Sequence, residues 1–288
     1  MVYGSIFGCL DDCVTIAAIL STKSPFVSPQ EKREEAKEAR KRFSQGDGDL
    51  LTDLRAFQEW NDQMQERMGQ SRVRAWCGDN FLNYQTLSDI ASTRSQYYSA
   101  LKEMGIIPHN YSESNNSQQT KSMALLRALT ASAFSPQIAR IQFPDKKFAA
   151  SMTGAVELDP EAKTIKFFSQ ENGRVFIHPS STLFDSQGFT GNASFMSTGI
   201  LTPSLAFNAY TLLLFSGAID LDTQGRGLVV DGWLRLRGWA RIGVLVSRLR
   251  GLIDKLITMK VENPSLDVEK NDIIKTVVKL VELDGLDA

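Results

Sequence analysis

His178, Ser180 and Ser181 stand within four residues of one another in the stretch RVFIHPSSTLFD, which runs from Arg174 to Asp185. An imidazole beside a serine hydroxyl suggests nucleophilic catalysis. That chemistry also needs a third group to orient the ring and donors for an oxyanion. Neighbours in sequence supply neither, and the chain has no G-x-S-x-G elbow. Pro179 offers no ladder donor, so a strand beginning at Arg174 is expected to end there. Ser180 and Ser181 can then bond backbone groups of the turn. Two readings stand for His178: it orders the turn, or it touches a nucleic-acid backbone.

Other chemistry is thin. No G-x-x-x-x-G-K-[ST] loop cradles a triphosphate, and no D-E-A-H-like box holds magnesium. Cys9 and Cys13 are four apart and would share a helix face. Cys77, His109 and His178 do not cluster with them, so three free thiols in a reducing compartment are expected and no metal site is.

Long cations are the remaining candidates. Arg72 and Arg74 precede WCGDNFLN, and Arg94 lies on an apolar helical stripe. Arg94 can bind phosphate or pair with a buried carboxylate. Trp76, Tyr97 and Tyr98 can stack on bases or fill the core. Arg237, Arg241, Arg248 and Lys255 are spaced by four, seven and seven, which would put them on one helical face. Residues 231–260 hold seven Lys/Arg against two Asp/Glu. This stripe is either a solvated face or a surface that tracks phosphates.

Composition frames these candidates loosely. The 288 residues carry 32 Lys/Arg and 33 Asp/Glu, so overall charge points to no polyanionic partner. No run approaches the ~18 apolar residues of a membrane span. The N-terminus lacks the features of a signal peptide.

The elements that must position these residues begin helical. IFGCLDDCVTIAAIL reads as one buried helix, and QEKREEAKEARKRF as a solvated one. After GDGD, with Asp49 as N-cap, Leu50, Leu54, Phe57, Trp60 and Met64 form an apolar stripe. Leu87, Ile90, Arg94, Tyr97, Leu101 and Met104 form another, ended by Gly105. NYSESNNSQQTKS reads as a flexible loop, and SMALLRALTASAF as a further helix. From about Gln137 the runs IARIQF, TIKFF, RVFI, TLLLF and GLVV read as five short strands of a small barrel. RGWARIGVLVSRLRGLIDKLITMK is expected to be a helix carrying Trp239, Ile242, Val246, Leu249, Ile253 and Leu256 on one side, followed by DIIKTVVKLVEL. The expected class is α+β: helices over 1–134, a five-stranded OB-type barrel over 135–236, and a helical extension over 237–288.

At this point the sequence resembles a known family. IFGCLDDCVTIAAILSTKSPF, GDLLTDLRAFQEW, WCGDNFLNYQTL, GRVFIHPSS, AYTLLLFSG and VDGWLRLRGWARIGVLVSRLR occur in this order. They are similar to the C-terminal half of DEAH/RHA-type RNA helicases, closest to fungal members of the RNA-helicase-A-like subgroup that includes a translation-scanning helicase. The resemblance implies a helicase-associated, or ratchet, domain followed by an OB-fold, with two RecA-like ATPase domains upstream. MVYG falls inside a family motif, so the chain looks like a fragment or truncated product without its ATPase engine.

The resemblance further implies an accessory role: guiding single-stranded RNA and docking partners such as a G-patch activator or the ribosome. A docking module with little RNA contact is the alternative. It implies ATP and Mg2+ for the full-length family but no cofactor in this chain, which alone should neither hydrolyse ATP nor unwind RNA. A cytoplasmic or nuclear location would follow, with no membrane. Arg94 and Gln96 match an R-x-Q pattern of the ratchet helix. The candidate RNA contacts are Arg72, Arg74, Arg94, Gln96, Arg174, His178, Ser180, Ser181, Arg237, Arg241, Arg248 and Lys255. Two departures stand out: Asp12 where the family has Pro, and the segment 196–208, which replaces a longer basic stretch. No Lys or Arg lies between Arg174 and Arg226. Divergence and a gene-model error both explain this.

Overall fold

The computed structural model describes residues 1–66, 69–111, 122–144, 147–151, 154–158, 164–189, 193, 195–198, 204–222, 227–264, 266, 268 and 270–283. The helical part contains α1 (Val2–Phe7), α2 (Leu10–Leu20), α3 (Arg33–Phe43), α4 (Asp49–Gln65), α5 (Gln70–Asp79), α6 (Tyr84–Glu103) and α7 (Met123–Ala133). The single helix expected at the N-terminus is two. Gly8, at φ 68, ends α1, and Cys9 caps α2. Asp12 sits in the first turn of α2 and accepts a 2.8 Å bond from Gln58 Nε2. Leu50, Leu54, Phe57 and Trp60 are buried as their spacing requires, while Met64 is exposed. Most of the polar stretch read as a loop, residues 112–121, lies outside the described residues.

The change of periodicity near Gln137 is a change of structure. A five-stranded antiparallel sheet runs in the order β5-β4-β1-β6-β7. Its strands are β1 (Ile138–Gln142), β4 (Lys166–Ser169), β5 (Gly173–Val175), β6 (Phe195–Thr198) and β7 (Ser204–Phe207). A hairpin of β2 (Lys147–Ser151) and β3 (Gly154–Leu158) lies between β1 and β4 in the chain. β8 (Ile219–Asp222), β9 (Gly227–Val230) and β10 (Leu234–Arg237) form a separate three-stranded sheet.

Several strand expectations are corrected. TLLLF is helical, within α8 (Ala209–Phe215), which Asn208 caps by accepting a 2.9 Å bond from the Thr211 backbone N–H. A continuous apolar run reads alike for a buried strand and a buried helix, and the cap decides. RVFI pairs only as far as Val175 in β5, three residues short of His178. GLVV is β9, outside the five-stranded sheet.

The tail helix, α9 (Ala240–Glu262), begins three residues later than expected because Leu234–Arg237 pairs with β9. Arg237 is therefore on a strand, not on the helical face with Arg241, Arg248 and Lys255. Trp239, expected on the buried side, is the exposed N-cap residue. α10 (Asp272–Glu282) closes the described chain.

The β6–β7 hairpin joins the two halves. Phe195, Leu205 and Phe207 enter the core shared with the helices, while Met196 and Ala206 enter the smaller core of the sheet with Ile141, Phe167 and Leu183. Residues 195–197 and 204–207, in and beside the segment that departs from the family, are thus buried on both faces.

Candidate nucleic-acid interface

The turn carrying His178 is fixed from the helical side. Gly48 at the start of α4 has φ 110, and a Cβ there would run into the Ser204 carbonyl and lie 3.0 Å from Leu205 Cα. Only glycine lets β7 approach this closely. Asp49 is consequently the first helical residue rather than the N-cap. Its buried carboxylate accepts from Ser181 Oγ at 2.7 Å, Thr182 N at 2.8 Å and Ser204 N at 2.9 Å. Arg40 adds 3.3 Å and 3.4 Å bonds to Asp49 and Asp53, and donates to the Ser180 carbonyl at 2.7 Å. Burial, with the Asp49 charge beside it, pushes the Asp53 carboxyl up to about 6, against the pull of Arg40. Asp47 pairs with Arg55, and with Arg127 at 3.1 Å. A paired, hydrogen-bonded cluster of this kind can persist in the interior where isolated charges cannot.

Held in this way, the turn presents its outer residues to solvent. His178 Nδ1 lies 2.7 Å from Ser180 Oγ and accepts from Ser180 N at 3.2 Å. Ser181 N donates to the His178 carbonyl at 2.9 Å. A bond accepted at Nδ1 places the proton of the neutral ring on Nε2. His178 and Ser180 are exposed, whereas Ser181 is buried on Asp49. Just upstream, Phe176 is 75% exposed and the Arg174 guanidinium lies 4.8 Å from its ring centroid. Phe176 was not among the sequence candidates. Its position after an Arg and two residues before a His was the available signal.

The remaining candidates are dispersed. Arg72 and Arg74 are exposed on α5, with Arg74 lying 4.8 Å from the Tyr84 ring centroid. Gln96 is exposed on α6. Arg94 is buried, bonded to Tyr98 OH at 3.3 Å, and Tyr98 in turn donates to Asp11. Tyr98 is core, and Tyr97 and Trp76 are half-buried, so the core reading describes these aromatics better than base stacking. Arg237 is exposed on β10, and Arg241, Arg248 and Lys255 are exposed on α9.

The Cys9 and Cys13 sulfurs are 3.9 Å apart, and that interaction draws the Cys13 thiol down. Burial pushes Cys77 up to about 11. Among the described residues, no group of three His, Cys, Asp or Glu side chains is placed to hold a metal, and no helix is long and apolar enough to cross a membrane.

Comparison with known proteins gives this arrangement its place. Residues 1–52 match the ratchet-like helicase-associated domain, and residues 226–283 match the C-terminal domain found in RNA helicases. The chain is 33% identical over 322 residues to a DEAH-box ATP-dependent helicase of Mycosarcoma maydis, covering all of this chain and 20% of that protein. It is 33% identical over 291 residues to the ATP-dependent RNA helicase ucp12 of Schizosaccharomyces pombe, covering 96% of this chain and 22% of that one. With human ATP-dependent RNA helicase DHX29 the identity is 28% over 301 residues, covering 99% and 21%. The chain thus spans about a fifth of the length of these relatives. It is thus similar to DEAH-box RNA helicases over the region that carries the helicase-associated and C-terminal domains.

Proposed function

We propose that this region is an accessory RNA-binding and regulatory module of an ATP-dependent RNA helicase, guiding single-stranded RNA across the outer end of its β-sheet. The observation that carries the reading is the exposed Phe176 ring under the Arg174 guanidinium, beside exposed His178 and Ser180. An aromatic face flanked by cations takes a base by stacking and a phosphate by charge, without reading sequence. Five short antiparallel strands in the order β5-β4-β1-β6-β7, with β5 at one end, are compatible with an OB-type barrel laid open, which supports the same reading. The buried Asp49–Arg40 cluster positions the turn, and Ser181 serves that positioning rather than RNA contact.

In the longer proteins of the family, RecA-like domains would supply ATP and Mg2+ binding and complete the RNA path. A cytoplasmic or nuclear site of action, with a ribosome or a G-patch-type activator as partner, completes the proposal. Titration of the chain with single-stranded oligouridine tests it. Binding should weaken with salt and with Phe176→Ala, and salt-insensitive or absent binding would reject it.

A further inference from the structure

The long helix α9 carries two kinds of cation. Arg250 donates to the Ser216 and Gly217 carbonyls, and Lys260 to those of Pro264 and Leu266. These two are used within the fold. Arg248 and Lys255 are exposed and find no hydrogen-bond or ion-pair partner among the described residues, while Arg241 lies only against the Trp239 ring, at 5.1 Å.

Interleaved with these three are three apolar side chains left in water: Leu245 at 59%, Leu252 at 41% and Met259 at 48% exposure. Each set repeats every seven residues and is offset from the other by three or four. In a helix, residues seven apart drift by only about 20°, and residues three or four apart are neighbours. The six side chains therefore form one continuous seam. Exposed Trp239 stands at its N-terminal end.

The flank of α9 beside this seam is firmly seated. Val246, Ile253 and Leu256 are buried, and a Cβ on Gly243 would collide with Leu228. The seam is consequently a fixed surface on a helix 23 residues long.

We infer that this seam docks an α-helix of a protein partner that is apolar along one stripe and acidic beside it. Alternation every seven residues is the geometry of helix-on-helix packing. Nucleic-acid phosphates would engage the cations and leave Leu245, Leu252 and Met259 in water. A second copy of this chain would set cations against cations. An acidic amphipathic helix satisfies both sets at once. The seam is separate from the β5 end of the sheet, and either assignment can fail without the other.

The test uses the chain and a fluorescent, side-chain-stapled peptide of about 25 residues, long enough to span the seam, with Leu at every heptad a position and Glu at every d position. A version with Lys at d and a single-stranded oligouridine are the comparators. The acidic peptide should bind saturably and about tenfold more tightly than its Lys version, a difference of about 1.4 kcal/mol. Arg248→Glu and Leu252→Asp, both at exposed positions and with unchanged thermal midpoints, should each weaken the acidic peptide about tenfold. Arg248→Glu/Lys255→Glu should recover the Lys version. Equal binding of both peptides, or indifference to these substitutions, overturns the inference. So does oligouridine binding that disappears in these variants while peptide binding is absent, which assigns the face to RNA. Self-association abolished by Leu252→Asp overturns it in favour of a second copy.

Discussion

Replacing Asp49 by Ala should destabilise the fold by about 3–5 kcal/mol. The carboxylate accepts from Ser181 Oγ, Thr182 N and Ser204 N, and receives Arg40 as well. Its loss leaves two backbone N–H groups, one of them in β7, without an acceptor, each at about 1–3 kcal/mol if water cannot replace it. The Arg40 guanidinium keeps Asp53 and the Ser180 carbonyl, so its charge is not orphaned and adds less. Asp49→Asn retains one acceptor oxygen and should lose roughly half as much, while Ser181→Ala, which removes one hydroxyl, should cost about 1 kcal/mol. Urea unfolding measures the three values. Hydrogen exchange should also quicken across residues 178–184 and 204–207 in Asp49→Ala, because these are the segments that the carboxylate ties to α4. A loss below about 1 kcal/mol with unchanged exchange would put Asp49 in the class of weak surface pairs and refute the reasoning.

Two further predictions follow from the same cluster and its turn. The Asp53 carboxyl titrates near 6 in the fold against an ordinary 3.8, so the folded state holds more protons between those values. Its contribution is therefore full below about pH 4, is lost as pH rises through about 6, and is flat above. The stability difference between wild type and Asp53→Asn, measured by urea unfolding from pH 4 to 8, should shift across that window by up to about 3 kcal/mol; a pH-independent difference would remove the titration. His178→Ala should cost roughly 1 kcal/mol, the worth of one turn hydrogen bond, in thermal unfolding. Hydrolase activity that disappears in this variant would restore the catalytic reading.

The helices were legible because their apolar spacing is regular and their ends are marked. Leu50, Leu54, Phe57 and Trp60 are buried as read, and Gly105 ends α6 as read. Periodicity failed where it carries no information. After Thr211 the run LLLF is apolar throughout, and the Asn208 cap marks it as a helix. LRLR at residues 234–237 looks like the start of the tail helix, but it pairs with β9, an arrangement that no local pattern reveals.

The candidate residues divide in the same way. Exposed cations can be found from spacing, and Arg241, Arg248 and Lys255 share a face while Arg237 does not. In the Asp47, Asp49 and Asp53 cluster only the GDGD turn and an Asp49 cap are legible, because Ser181, Ser204 and Arg127 come from distant parts of the chain and Arg40 from the preceding helix. Two acids in a glycine turn, with a third one helical turn on, were the signal available.

The most direct test of the RNA reading is a fluorescence titration of single-stranded oligouridine at several salt concentrations, comparing the chain with Phe176→Ala and Arg174→Glu. Removing the stacking ring should weaken binding by about 1–3 kcal/mol. Reversing Arg174 should make the salt dependence shallower by roughly 0.7, the share of a single phosphate neutralised on a single strand. Affinity and salt slope that match wild type in both variants would contradict a path for RNA across the outer end of this sheet.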